Sequence, residues 1–156
     1  TKLIFTMPNA DTDGRVLIKM VEQFASQRAN AHAFTSLGQL RYLSCIAQVD
    51  GVVGNSSSGL TEVPSFKKGT INIGDRQRGR LQATSVVNCE PDQKSIADAI
   101  NILYKPDFQL NLNQVRNPYG EGGASKKIVS ILKIINIKKI VKKAFYDLSN
   151  SAFRAQ

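Results

Sequence analysis

The sequence predicts an α/β fold, a Rossmann-like parallel sheet with helices on both faces. Three observations carry this. Short runs of β-branched and apolar residues (KLIFT at 2–6, GVVGN at 51–55, TINI at 70–73, SVVNC at 85–89) alternate with stretches of helical period. Three of them open directly into polar turns, as strands of a parallel sheet do before a crossover helix. The chain has 156 residues, 42% hydrophobic and 21% charged, enough for one buried core.

Taken in order, KLIFT is followed by the turn-forming PNADTDG, and a helix starts near Asp13 with Val16, Met20, Val21 and Phe24 on one face. Asp11, Thr12 and Asp13 are candidate N-caps. A brief extended segment surrounds Ala33 and Phe34, and Leu40, Leu43 and Ala47 mark a second helix. GVVGN reads as a short buried strand, with a helix from about Ser58. After TINI and SVVNC, SIADAINILY gives a further helix from Ser95, preceded by Pro91 and Asp92. Residues 106–125 turn polar and glycine-rich. Their GEGG precedes a helix but follows no strand, which argues against a dinucleotide fingerprint. Ser125 is a candidate cap for the tail.

The tail alternates apolar positions (Ile128, Ile131, Leu132, Ile135, then Ile137, Ile140, Val141, Ala144, Phe145, Leu148) with lysines. The expected organisation is therefore a domain over 1–125, basic amphipathic helices over 126–148 and a tail over 149–156. An anionic membrane or plain solvation suits such helices too, but a continuous apolar stripe calls for a surface to cover. Docking on a partner domain is the reading taken; where that domain is absent, Ile131, Ile135, Ile140 and Phe145 are expected to drive homo-oligomerisation or to remain mobile.

The formal net charge is +9. Eight basic residues and a single acid, Asp147, lie beyond Ser125, so most of the excess sits in one segment. That distribution, without interleaved exposed aromatics, argues against a nucleic-acid binder. No apolar run is long enough to span a membrane, and TKLIFTMPN has none of the regions of a signal peptide. The chain opens on a strand-like run without Met, which reads as one missing something upstream. Cys45 and Cys89 have no metal-type spacing and read as buried free thiols of a cytoplasmic protein. Neither a metal nor a cofactor is expected.

Three clusters carry candidate chemistry. GNSSSGLTE places Ser56 and Ser57 between a strand and a helix start, where unpaired N–H groups and small hydroxyl side chains suit a diphosphate. Glu62, about a turn further, suits ribose hydroxyls. A serine N-cap with a surface glutamate fits the same spacing. GDRQRGR follows the strand TINI, and Arg76, nearest the strand end, is placed to fork onto a phosphate or to be solvated. PNADTDGR offers Asn9 and Arg15, although Asp11 and Asp13 argue against a purely anionic site. His32 has no readable partner and is taken as structural or exposed.

VVGNSSSGLTEVPSF followed by TINIGDRQRGR resembles the C-terminal half of hydrolysing UDP-N-acetylglucosamine 2-epimerases of the sialic-acid pathway. PNADTDGR, SLGQLRYL and NPYGEGGASKKI match that family in the same order, from about Thr1 to Leu148. SNSAFRAQ does not resemble the family's ending. The resemblance implies the C-terminal domain of a GT-B-like two-domain enzyme, with the nucleotide sugar in the cleft between two Rossmann-like domains. It implies that Ser56, Ser57 and the helix start hold the diphosphate, Glu62 the ribose, and that Tyr42 flanks the uracil. Asn9, Arg15 and Arg76 would line the phosphate and sugar side.

The reaction implied is elimination of UDP to a 2-acetamidoglucal, then hydration to N-acetylmannosamine. The family's acid/base carboxylates belong to its N-terminal domain and its histidine lies upstream of the matched region. His32 does not match it. The partners expected are thus UDP or a UDP-N-acetylhexosamine and the missing N-terminal domain, with no catalytic residue in this chain and no turnover by it alone. A GT-B glycosyltransferase domain shares the phosphate site and ribose glutamate, but GDRQRGR and PYGEG favour the epimerase. A non-catalytic nucleotide-binding module is the reading from a different class.

Overall fold

The computed structural model describes residues 1–8 and 14–136. The elements run β1 (Leu3–Thr6), α1 (Gly14–Ser26), β2 (Ala31–Phe34), α2 (Gly38–Gln48), β3 (Gly51–Gly54), α3 (Ser58–Thr61), a 3-10 turn (Val63–Phe66), β4 (Gly69–Ile73), β5 (Val86–Cys89), α4 (Gln93–Leu103), α5 (Pro106–Leu112) and α6 (Ala124–Ile134). Residues fall into two compact units, Thr1–Gly120 and Glu121–Gln156.

Every strand pairing is parallel, as the alternation of elements requires. The strands nevertheless form two sheets, β1–β2 and β3–β4–β5, where one was expected. The register sets Leu3 opposite Ala31, Val53 opposite Ile71, and Ile71 opposite Val87. Among the described residues β1 and β3 each pair on one side only. Val53 is accordingly 51% exposed, not buried as its strand was expected to be.

The main core forms where α4 crosses β4 and β5. Ile71, Ala99 and Leu103 are buried together, with Ile73, Val87 and Phe108 packed against them. The approach is close enough to require glycine. A Cβ on Gly69 would lie 2.3 Å from Leu103 Cδ1 and 3.0 Å from Phe108 Cε1. Asp92 starts α4: its Oδ1 accepts the Ser95 N–H at 2.9 Å and its Oδ2 the Ser95 hydroxyl at 2.6 Å. These two bonds hold the Asp92 carboxyl below its ordinary range.

Several expectations change here. α5 occupies the start of the polar, glycine-rich segment over 106–125, where no helix was expected. Pro106 at its start and Asp107 in its first turn are ordinary helix openers, and Phe108 and Leu112 turn inward to a second cluster with Ala83 and Val115. The helix after the serines is a single α turn, because Pro64 cannot continue the ladder and the chain tightens into the 3-10 turn. His32 lies within β2, exposed, and both cysteines are free and only half-buried. α6 begins at Ala124 after Gly123 in the left-handed region, so Ser125 is its second residue and not its cap.

No residue of α6 is buried, and Ile128, Ile131 and Leu132 are more than half exposed. The candidate caps Asp11, Thr12 and Asp13, the second tail helix with Ile140 and Phe145, and the tail over 149–156 lie outside the described residues. Among the described residues no helix is long and apolar enough to cross a membrane.

Candidate functional site

The paired register of β3 and β4 (Gly54 opposite Asn72) brings the turn after one beside the loop after the other. Asn55 joins them. Its Oδ1 accepts from Arg76 Nη1 at 3.4 Å, and its main-chain carbonyl accepts from Gln77 Nε2 at 2.7 Å. Gln77 is 3% exposed, and its Oε1 is a buried acceptor without a partner among the described residues. The loop is folded on itself by Arg78 N–H to Asp75 O (2.8 Å) and Arg80 N–H to Gln77 O (3.2 Å). Arg76, Arg78 and Arg80 are all exposed around it.

The serine run is a turn closing into α3. Ser56 Oγ accepts the Ser58 N–H at 3.4 Å and its carbonyl accepts the Gly59 N–H at 3.2 Å. The Ser57 carbonyl accepts the N–H groups of Leu60 and Thr61, both at 2.9 Å. Ser57 holds the N-cap position in helical conformation without a side-chain capping bond. The plain N-cap reading of this run therefore does not account for the Ser57 hydroxyl. The N–H groups of Ser56 and Ser57 likewise meet no acceptor among the described residues. With α3 only one turn long, the positive character here comes from these local N–H groups and Arg76, not from an extended helix dipole.

Tyr42, half-buried on α2, sits 2.5 Å from Ser58 Oγ through its hydroxyl. Thr70, buried in β4, donates its hydroxyl to the Gly59 carbonyl at 2.8 Å. Asn117, from the NPYG segment, donates to the Thr61 carbonyl (2.8 Å) and to Ser65 Oγ (2.7 Å), and Lys67 donates to the Val115 carbonyl. Three separate parts of the chain thus fix the serine turn. Glu62 closes α3 with its N–H on the Ser58 carbonyl at 2.9 Å, and its carboxylate has no partner among the described residues.

The structure brings Ser56, Ser57, Tyr42 and Arg76 together, with Glu62 at the far end of the same turn. Arg15 is the second residue of α1 and exposed, and no bond links it to the serine turn. Asn9 lies outside the described residues. Asn55, Ser58 and Gln77 were not singled out from the sequence. A glutamine set among arginines in GDRQRGR was the available signal for Gln77; Asn55 and Ser58 offered none beyond their place in the motif.

A separate cleft of about 590 Å³ lies between the ends of β4 and β5 and α4, lined by Asn72, Arg78, Gln82, Asn88, Glu90 and Asp98 among others. It contains none of the residues read from the sequence as site residues. Cys89 borders it, and burial, with Asp92 and Glu90 adding to it, pushes its thiol pKa up.

The UDP-N-acetylglucosamine 2-epimerase family model matches residues 1–133. The chain is 38% identical over 149 residues to the polysialic acid biosynthesis protein P7 of Escherichia coli, covering 93% of this chain and 37% of that one. It is 37% identical over 148 residues to the GDP/UDP-N,N'-diacetylbacillosamine 2-epimerase (hydrolyzing) of Campylobacter jejuni, covering 94% and 38%. It therefore spans well under half the length of these curated relatives. Among solved structures, a UDP-N-acetylglucosamine 2-epimerase superposes with a TM-score of 0.65 at 20% identity, over 94% of this chain and 38% of that one. The Neisseria meningitidis UDP-GlcNAc 2-epimerase bound to UDP-GlcNAc superposes at 0.62 and 18%, over 85% and 44%. These two likenesses establish the fold.

Proposed function

The chain belongs to the UDP-N-acetylglucosamine 2-epimerase family, and from that premise we propose that it supplies the UDP-binding half of a hydrolysing 2-epimerase. The observation that carries this reading is the Asn55 junction. It sets Arg76 beside a serine turn whose Ser56 and Ser57 N–H groups and Ser57 hydroxyl are unclaimed. Such a set offers several N–H and O–H donors and one guanidinium to a diphosphate. The unpartnered Glu62 carboxylate offers two acceptor oxygens to a ribose diol.

In the elimination that the family carries out, negative charge grows on the departing UDP. Donors already held in place stabilise that charge without reorganising. Arg76, Ser56 and Ser57 would act there, as leaving-group ligands. Tyr42 would border the uracil, its ring oriented by the bond to Ser58. Arg15, in the first turn of α1, and Asn9 would reach the phosphate or sugar only when both sheets stand at one cleft. The carboxylates that move protons would come from outside this chain, which predicts UDP binding without turnover. A UDP-sugar of the N-acetylhexosamine or diacetamido type is the expected substrate, in keeping with the relatives' names.

Titration calorimetry with UDP, uridine and UDP-N-acetylglucosamine tests the reading. UDP is expected to bind and uridine much more weakly, with the sugar adding little. Equal binding of UDP and uridine, or epimerisation by the chain alone, would overturn it.

A further inference from the structure

Pro64 deprives one carbonyl of its ordinary partner. Where α3 tightens into the 3-10 turn, the Thr61 carbonyl would accept from residue 64 or residue 65. Residue 64 is a proline and has no N–H. The Ser65 N–H goes instead to the Glu62 carbonyl, at 3.0 Å. The missing donor comes from 56 residues further along, where Asn117 Nδ2 reaches the Thr61 carbonyl at 2.8 Å. Its second hydrogen serves Ser65 Oγ at 2.7 Å.

Asn117 is itself locked in that role. Its Oδ1 accepts the Tyr119 N–H at 2.9 Å, which turns the amide nitrogen toward Thr61. Its main-chain carbonyl accepts the Gly120 N–H at 3.1 Å and closes the NPYG turn. The Tyr119 hydroxyl ties that turn to the Leu81 carbonyl at 3.1 Å, just past the arginine loop.

The bond to Thr61 matters for the residue after it. The Thr61 C=O and the Glu62 N–H belong to one planar peptide unit. Its N–H end is held by the Ser58 carbonyl at 2.9 Å and its C=O end by Asn117. With both ends held, that plane sets the direction in which the Glu62 side chain leaves the backbone. Glu62 is half-buried, and its carboxylate has no partner of its own among the described residues. We propose that Asn117 is a positioning residue for the nucleotide, one that aims the Glu62 carboxylate at the ribose diol. The inference rests on the reading of Glu62 as the ribose acceptor. It assigns ribose selectivity to a residue that acts through a backbone carbonyl.

Titration calorimetry of the full chain with UDP and with 2′,3′-dideoxy-UDP tests it. The parent is expected to prefer UDP by roughly tenfold to a hundredfold, the range for a charge-assisted hydrogen bond from the diol. Asn117→Leu is expected to bring that preference below about threefold, with dideoxy-UDP still bound within about threefold of the parent. Asn117→Asp keeps the acceptor for Tyr119 but loses both donors. It should act in the same way, and it takes the place of Asn117→Leu where that variant does not fold. In a Glu62→Ala chain there is no carboxylate to aim, so neither substitution at 117 should change either affinity further. Equal weakening of both nucleotides, an unchanged preference, or a further loss in the Glu62→Ala chain would each overturn the inference. A parent without a preference for UDP over dideoxy-UDP overturns the ribose reading of Glu62 and this inference with it, whereas UDP against uridine reads the diphosphate site separately.

Discussion

Gly59 is the point where the serine turn rests on the sheet, and replacing it with alanine tests how that turn is held. A Cβ there would lie 2.6 Å from Thr70 Cγ2 and 3.5 Å from Thr70 Oγ1. Carbon–carbon contacts are optimal at about 3.5–4.0 Å, so the methyl groups overlap by roughly 1 Å. Thr70 is only 2% exposed and its hydroxyl is bonded to the Gly59 carbonyl, so it cannot turn the methyl aside and keep that bond. Overpacking of this kind costs about 1–3 kcal/mol, against which alanine gains up to ~1 kcal/mol of helix propensity. Gly59→Ala is expected to lose about 1–2 kcal/mol net.

Thr70→Ser deletes the obstructing methyl, keeps the hydroxyl, and alone costs about 1 kcal/mol. In the double variant the alanine methyl fills the space left by the threonine methyl. Stability should then return to within ~0.5 kcal/mol of the parent, a coupling of about 2 kcal/mol. Urea denaturation followed by far-ultraviolet circular dichroism measures all four corners of the cycle. UDP affinity should fall with Gly59→Ala and recover in the double variant. Additivity within ~0.5 kcal/mol would refute the packing argument, whatever the size of the single effects.

Other outcomes follow from the same geometry. Arg76→Ala should weaken UDP binding by roughly tenfold to a hundredfold, the worth of one charge-assisted hydrogen bond, with little change in thermal stability. Gln77→Leu strands the Asn55 carbonyl and should cost about 1–3 kcal/mol in the same urea assay while also weakening UDP. Because Asp92 is held below its ordinary 3.8 in the folded chain, its cap acts at higher pH. The contribution fades as pH falls through the lower folded value. Amide exchange in the first turn of α4 should show that loss as pH falls below the ordinary aspartate value of 3.8, and Asp92→Asn should remove the dependence. Since burial raises the Cys89 pKa, its alkylation by iodoacetamide near pH 8 should be slower than that of a free thiol.

Much of the fold was legible where a single pattern decided the matter. β-branched runs located β3 to β5, two of them bounded by glycines, and the helical spacing of Val16, Met20 and Phe24 located α1. α5 was missed because four of the seven residues of PDFQLNL are polar or proline, and only Phe108 and Leu112 reveal its inner face. The division of the sheet was not legible either, since strand order depends on contacts that no local pattern encodes. At the site, strand-to-turn transitions pointed to Ser56, Ser57 and Arg76. What binds those segments to each other is a side-chain amide and a main-chain carbonyl at Asn55. Asparagine after glycine reads as an ordinary turn residue, so its joining role was invisible in one sequence.

The two bonds at Asn55 differ in kind, and the difference should be visible in how relatives vary. Arg76 reaches the Asn55 side chain, whereas Gln77 reaches the main chain. Positions 55 and 76 should therefore change in concert, a residue without a side-chain acceptor at 55 accompanying a different cation or loop at 76. Position 77 is indifferent to which side chain stands at 55 and should stay glutamine across such exchanges. Laboratory evolution from an Asn55→Ala chain, selected for nucleotide binding, should then collect its second changes in the loop around residue 76 and leave residue 77 alone.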